Sequence, residues 1–337
     1  MRIVTADDID RVLTYPLLSD ALAEAFRGEI AVPVRHHHTI PQVGADATLL
    51  LMPAWTSNLD ARPDAKPAPT FAGRASRGER YLGCKIVTVF PDNAKIGRPS
   101  VYGQYLLLSG ESGEPLALME GRTLTARRTA AASALASSYL AREDAKHLVM
   151  VGAGALAPHL VRAHASVRPI KRVTLWNRTR ERAVALAAGL AGAGFLIDVT
   201  DNLAEAVAEA DIVSCATLAT EPLLRGASLK EGAHVDLIGG FTPNMREADD
   251  EALRRARVYV DTRAGAGKEA GDIVNPISRG VIKEADIQGD LFDLCRGAAP
   301  GRGSRSEITL FKSVGTAIED LAAAMLVWQR LWSSPSS

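Results

Sequence analysis

Val149-Met150-Val151-Gly152-Ala153-Gly154-Ala155-Leu156-Ala157 is the stretch that decides the fold. The residues before it, from 147, form an apolar run of buried-strand type. Those after it, to 167, mix apolar and polar positions as an amphipathic helix does. The turn between them is the GxGxxA form of the dinucleotide fingerprint. Gly152 permits the tight turn, Gly154 lets backbone N–H groups approach a pyrophosphate, and Ala157 keeps the helix close to the sheet. The helix N-terminus adds partial positive charge. In a chain this rich in Ala and Gly the pattern alone arises by chance; its strand–helix junction gives it meaning.

Working outward, an alanine-rich helix is predicted at 125–141 ahead of the turn. Behind it, strands at 172–177, 195–201, 211–217, 234–240 and 257–262 are joined at first by helices at 180–191 and 203–210. Strands separated by such helices make βαβ units and a parallel, doubly wound sheet of Rossmann type, an α/β fold. The final stretch, 306–332, reads as strand, turn and helix, with Leu321, Met325, Leu326 and Trp328 at helical spacing. The N-terminal third has another texture. Residues 7–26 predict two short helices divided at Tyr15-Pro16, with Ser19 or Asp20 capping the second. Short β-runs follow at 30–40, 47–55, 80–90, 101–109 and 114–120. The stretch 58–79 and the SSPSS tail read as exposed loop, and no repeat of solenoid length occurs.

The chain has 337 residues, enough for two domains with real cores. Its 39 basic and 39 acidic side chains cancel, which argues against a nucleic-acid partner. Nearly half the residues are hydrophobic, which argues against wholesale disorder. Cys84, Cys215 and Cys295 are odd in number, lack CxxC spacing and lie in or beside apolar runs, so neither a disulfide framework nor a zinc site is expected. The acidic N-terminus lacks the layout of a signal peptide. No apolar run reaches the roughly 18–20 residues of a membrane span. A cytoplasmic, metal-free protein is expected.

Several residues have a chemistry to offer. The second strand ends in Asn177-Arg178-Thr179, where an NAD site carries a carboxylate for the ribose 2′-hydroxyl. Donors and cations stand here instead, with Arg182 close behind, and they suit a 2′-phosphate: NADPH is the preferred cofactor, NADH the possible one. Solvated arginines at a helix start are the bland alternative, although cations there oppose the helix dipole. Cys215, Ala216 and Thr217 end another strand on the ligand edge, but Cys215 has no basic neighbour to make it a nucleophile. His36-His37-His38 alternate faces on a strand and cannot converge on one metal. Lys85 sits in an apolar strand, and Arg127-Arg128 head an apolar helix, so one of these arginines is expected to point inward. A surface charge is the plain alternative for each.

Eight segments, in order over almost the whole chain, resemble the ornithine cyclodeaminase/mu-crystallin family. They are PVRHHH (33–38), GCKIVTVFPDN (83–93), GEPLALMEGRTLTARRTAAASALA (113–136), VGAGALA (151–157), LWNRT (175–179), DIVSCAT (211–217), LIGGFTPNMREAD (237–249) and ITLFKSVGTAIEDL (308–321). The resemblance implies a Rossmann domain, 125–307, inserted in an α+β substrate-binding and dimerisation domain, 1–124 with 308–337. It implies that Arg35, Lys85 and Arg128 hold a substrate carboxylate, and it suggests a homodimer. It also exposes a departure. Where cyclodeaminases carry an aspartate after the glycine pair, this chain has Phe241, which cannot accept a proton. Asp236 and Asp249 are nearby aspartates that could replace the base.

The expectation is an NAD(P)H-dependent reductase of cyclic imino acids, Δ1-pyrroline-2-carboxylate and Δ1-piperideine-2-carboxylate, giving L-proline and L-pipecolate. Lys85 and Arg128 would be the catalytic cations, Lys85 also relaying a proton, and Phe241 an apolar wall. Gly152, Ala153, Gly154, Ala155, Leu156, Asn177, Arg178, Thr179, Arg182, Cys215, Ala216 and Thr217 would bind the cofactor. The alternatives are an ornithine cyclodeaminase, an alanine dehydrogenase-like enzyme, and a non-catalytic NADPH-dependent ligand binder like mu-crystallin.

Overall fold

A computed structural model describes residues 1–57 and 80–332; the loop expected at 58–79 and the C-terminal tail lie outside them. The chain forms two compact units, Met1–Thr129 with Thr316–Ser337, and Ala130–Gly315.

The first unit runs β1 (Arg2–Val4), α1 (Ala6–Val12), α2 (Tyr15–Arg27), β2 (Ile30–Ala31), β3 (His36–Ile40), β4 (Ala47–Thr56), β5 (Tyr81–Val89), β6 (Val101–Ser109), β7 (Pro115–Glu120) and the start of α3 (Gly121–Leu140). The cap of α2 is Thr14, not Ser19 or Asp20. Pro16 falls in the first turn, where a missing N–H leaves no bond unmade, so the helix starts before it. The sheet has the order β1-β7-β6-β5-β4-β2, with β3 also on β4. One cross-strand row runs Met52, Lys85, Tyr105, Met119, Val4, and every member is 5% exposed or less. A lysine in the middle of that row is the anomaly of this unit.

The second unit continues with β8 (His147–Val151), α4 (Ala157–Val167), β9 (Arg172–Trp176), α5 (Arg180–Gly189), β10 (Leu196–Val199), α6 (Leu203–Glu209), β11 (Ile212–Cys215), β12 (His234–Leu237), α7 (Asp250–Arg255), β13 (Ala256–Val260), α8 (Arg263–Glu269), α9 (Gly271–Ser278), β14 (Ile287–Asp290), α10 (Leu291–Cys295) and β15 (Ile308–Lys312). All eight strands are parallel, in the order β10-β9-β8-β11-β12-β15-β13-β14. Every residue of β8, β11, β12 and β15 is buried, as strands covered on both faces must be. The order reverses between β8 and β11, the switch point where such sheets take ligands.

The seam after 307 falls later than the sequence implies. Residues 308–312 form β15, which pairs with β12 and β13 inside the parallel sheet. The following helix, α11 (Ala317–Trp332), belongs to the first unit, where it packs against α2 and on β4, β5 and β6. The first seam likewise lies at 129/130, inside α3, rather than at 124/125. Among the described residues no helix is long and apolar enough to cross a membrane.

Candidate active site

Lys85 occupies the middle of β5 on its inward face, and its Nζ lies 2.7 Å from Asp320 Oδ2. Gly83, two positions earlier on the same face, makes this possible. A Cβ there would stand 2.1 Å from the Tyr105 hydroxyl oxygen, so glycine leaves room for the Tyr105 side chain over β5. The Tyr105 hydroxyl is buried and has no hydrogen-bond partner among the described residues. Arg128, in α3, is the arginine that points inward. Its Nε donates to Asp320 Oδ1 at 2.9 Å and its Nη1 donates to Glu319 Oε2. Arg127 turns the other way, to Asp10 and the Leu13 carbonyl.

Two cations therefore meet two carboxylates in a dry place. Glu319 and Asp320 open α11 and are wholly buried. Burial presses the Lys85 ammonium down to about 8, Arg128 works in the same direction, and Asp320 and Glu319 pull it back. Burial also works against the Arg128 charge, but Asp320 and Glu319 hold its guanidinium above its ordinary value. The two acids lie in the ITLFKSVGTAIEDL segment, and sequence reasoning gave them no role. The signal was present: two adjacent acids at the head of an otherwise apolar helix need buried partners. Arg35 stands just before β3, half-buried. The pairing of β3 with β4 begins at His36 opposite Leu51, next to Met52, the β4 neighbour of Lys85, and Arg35 precedes it. The histidines of β3 are exposed, and among the described residues no group of His, Cys, Asp and Glu is arranged to hold a metal.

At the switch point of the second unit, Gly152 has φ +104°, and a Cβ on it would come within 2.6 Å of the Ala216 carbonyl oxygen. A side chain is excluded twice over. Around Gly154, by contrast, a Cβ would meet nothing within 4 Å. The N–H groups of Gly154, Ala155 and Leu156 have no acceptor among the described residues. An open cradle of unmade donors at a helix start fits a pyrophosphate.

Asn177 braces this turn: its Oδ1 accepts from Ala153 N–H at 3.1 Å and its Nδ2 donates to the Thr179 carbonyl at 2.8 Å. Arg180 is engaged with Asp201, whereas Arg178, Thr179 and Arg182 are exposed, with no side-chain partner among the described residues. Ala216 donates its N–H to the Val151 carbonyl and so ties β11 to β8 beside the turn. Cys215 is different from its neighbours. Its side chain is wholly buried in the apolar core and its carbonyl accepts from Ile238 N–H. Its burial among apolar core side chains takes the thiol out of reach of a ligand, which sequence spacing alone does not reveal.

Phe241 is 49% exposed at the same edge. The two aspartates near it in sequence are committed elsewhere. Asp236 is buried, bonded to Ser214 and His164, and Asp249 caps α7. Beneath the turn lies a second charged cluster that sequence reasoning missed. Glu247 accepts from Thr217 N–H at 2.7 Å, Thr217 Oγ1 at 2.9 Å and Gly239 N–H at 2.7 Å. Asp272 accepts from the N–H groups of Glu247 and Ala248. Lys312, wholly buried, lies 3.2 Å from Asp272 and 4.0 Å from Glu247.

The model of the ornithine cyclodeaminase/mu-crystallin family matches residues 70–335. The chain belongs to that family. A Δ1-pyrroline-2-carboxylate reductase of Colwellia psychrerythraea is 38% identical over 336 residues, 98% of this chain and 99% of that protein. The structure of Thermococcus litoralis Δ1-pyrroline-2-carboxylate reductase, in complex with NADH and L-proline, superposes with a TM-score of 0.85. It is 32% identical, covering 99% of this chain and 98% of that one. An archaeal alanine dehydrogenase dimer with bound NAD superposes at 0.84 with 28% identity, covering 100% and 98%.

Membership accounts for the paired fold and for the open cradle at Gly154, and the chain is a nicotinamide-dependent oxidoreductase. It does not by itself name the substrate. Family members that differ in reaction share this scaffold, so the choice rests on side chains such as Lys85, Arg128 and Phe241.

Proposed function

We propose that this protein reduces cyclic ketimine carboxylates, Δ1-pyrroline-2-carboxylate and Δ1-piperideine-2-carboxylate, to L-proline and L-pipecolate, with NADPH preferred over NADH. The observation that carries the proposal is the pair of buried cations, Lys85 and Arg128, joined through Asp320. An arginine fork suits a planar carboxylate, and a lysine beside it offers a movable proton. Arg35, just before β3, would be the third cation of this clamp.

A hydride acceptor at the imine carbon is better when the ring nitrogen is protonated. Lys85, held at about 8, is protonated near neutrality yet acidic enough to give that proton up. When bound, the dihydronicotinamide supplies the hydride. Gly152, Gly154, Ala155 and Leu156 would hold its pyrophosphate, and Arg178, Thr179 and Arg182 its 2′-phosphate. Phe241 would exclude water from the reacting ring, and it offers no base for the deamination of ornithine. The kinship with Δ1-pyrroline-2-carboxylate reductases supports the same choice.

The enzyme is further proposed to work in the cytoplasm as a homodimer. The outer face of the first sheet presents Trp55, Leu82, Ile86 and Tyr102, each more than a third exposed. Leu82 stands directly opposite Trp55 across β4 and β5, so the apolar surface is contiguous. Apolar patches of this kind mark subunit contacts, and the archaeal alanine dehydrogenase is a dimer.

The test is a steady-state assay of NADPH and NADH oxidation with five- and six-membered cyclic imino acids. L-ornithine with NAD⁺, and pyruvate with ammonia, serve as controls. Turnover confined to the cyclic imines is expected. Ammonia and proline formed from ornithine at comparable kcat/KM would overturn the proposal in favour of a cyclodeaminase, and inertness toward all substrates in favour of a binding protein. Light scattering on the same sample should give twice the chain mass.

A further inference from the structure

We propose that Asp320, assisted by Glu319, is a positioning residue that keeps Lys85 protonated and aimed at the substrate nitrogen. This rests on the reductase reading above. The geometry is specific. Asp320 divides its carboxylate, Oδ2 to Lys85 at 2.7 Å and Oδ1 to Arg128 Nε at 2.9 Å, so it fixes the spacing of the two cations. Glu319 takes the other arm of the guanidinium. Both acids are wholly buried, and both come from the first turn of one helix.

The charges facing Lys85 can be named from every element around it. Arg128 comes from α3, Asp320 and Glu319 from α11, and the uncharged Tyr105 hydroxyl from β6. Lys85 and Arg128 contribute two positive charges, Glu319 and Asp320 two negative, and the sum is zero. A cyclic imine carboxylate can exchange partners with these groups: its carboxylate to the cations, and its ring nitrogen, once Lys85 has protonated it, toward Asp320. A dicarboxylate would bring a second negative charge beside Glu319 and Asp320, in a buried place where that is costly. Hence the inferred substrate class is the monocarboxylate imine, which arrives with its ring nitrogen unprotonated.

Proton transfer balances simply. Lys85 Nζ–H breaks, ring N–H forms, and Lys85 is left neutral beside Asp320 until solvent restores the proton. Without Asp320, burial and Arg128 would both push the ammonium lower still. The alkaline limb of the rate profile, which reports loss of the Lys85 proton, should then move to lower pH.

The experiment compares wild type, D320N, D320E and E319Q in kcat/KM against pH with Δ1-pyrroline-2-carboxylate. It adds an NMR titration of Lys85 in protein carrying ¹³C-labelled lysine. D320N should move both the limb and the NMR titration down by at least ~1 unit, so that the ~tenfold loss at slightly alkaline pH is recovered on acidification. E319Q should move them less in the same direction, and D320E should restore them. Unmoved titrations in D320N, or in E319Q should D320N not fold, would overturn the inference. The NMR arm needs no turnover, so a wild type inert toward imines would sink the reductase reading while this inference is still decided.

Discussion

Lys85 and Lys312 are both buried lysines on strands, and each faces two carboxylates. Their settings differ in one respect. Around Lys312, the acids are already engaged by the backbone: Glu247 takes the N–H groups of Thr217 and Gly239, and Asp272 takes those of Glu247 and Ala248. Around Lys85, Asp320 is held by two side-chain cations, Lys85 and Arg128. Carboxylates held by backbone N–H groups have fixed positions and tie loops together. Carboxylates held by side chains can trade those partners for a ligand. The first arrangement suits a brace, the second the proposed clamp.

Arg128 gives the largest expected effect and the sharpest way to break that contrast. Arg128→Ala removes the fork from the clamp and should cut kcat/KM for the cyclic imine by at least ~100-fold, in line with truncating a buried hydrogen-bonded charge pair. Arg128→Lys keeps the charge but loses the planar fork, and should recover only part of the loss. Near-normal kcat/KM in Arg128→Ala would mean that the cluster is a brace like the other one.

Lys312→Met should act the opposite way, on stability before turnover. It leaves Glu247 and Asp272 side by side with no cation, at a cost of about 3–5 kcal/mol. Burial already raises the Glu247 carboxyl above its usual range, Lys312 lowers it and Asp272 raises it, so losing the lysine raises it further. A carboxyl whose folded pKa is raised is least costly where it is protonated, and its penalty grows as pH rises through that value. Urea unfolding should therefore show a larger deficit at about pH 8 than at about pH 5. A deficit independent of pH would show that Lys312 contributes packing rather than charge.

The two clusters were unequally legible. Lys85 and Arg128 stand out in a one-dimensional reading because a cation in an apolar strand or helix is anomalous, and the family segments around them are dense. The partners of those cations were hidden by distance: Arg128 and Asp320 lie 192 positions apart, and no local pattern pairs them. Glu247, Asp272 and Lys312 were invisible for the same reason, each being unremarkable in its own segment. The parallel sheet was legible because its buried strands read as short apolar runs between helices. The strand β14 and the helices α7 to α10 escaped, being short elements held by tertiary packing more than by their own periodicity. The direction of Cys215 was lost because a run ending in small residues gives no sign of which face is the core.

Arg178 should give the smallest effect and sharpen the contrast from the open side. Unlike the two buried lysines it is exposed and makes no ion pair among the described residues. Solvent screens it, and Arg182 remains nearby to share the work. Replacing it with aspartate should repel a 2′-phosphate and supply an acceptor for a ribose hydroxyl, moving the NADPH/NADH ratio of kcat/KM toward NADH by about tenfold. Raised salt should shrink the difference, because an exposed charge is screened as a buried one is not. A ratio that does not move would place recognition of the phosphate on Thr179 or Arg182. It would leave the brace and the clamp as the two places in this enzyme where single charges govern behaviour.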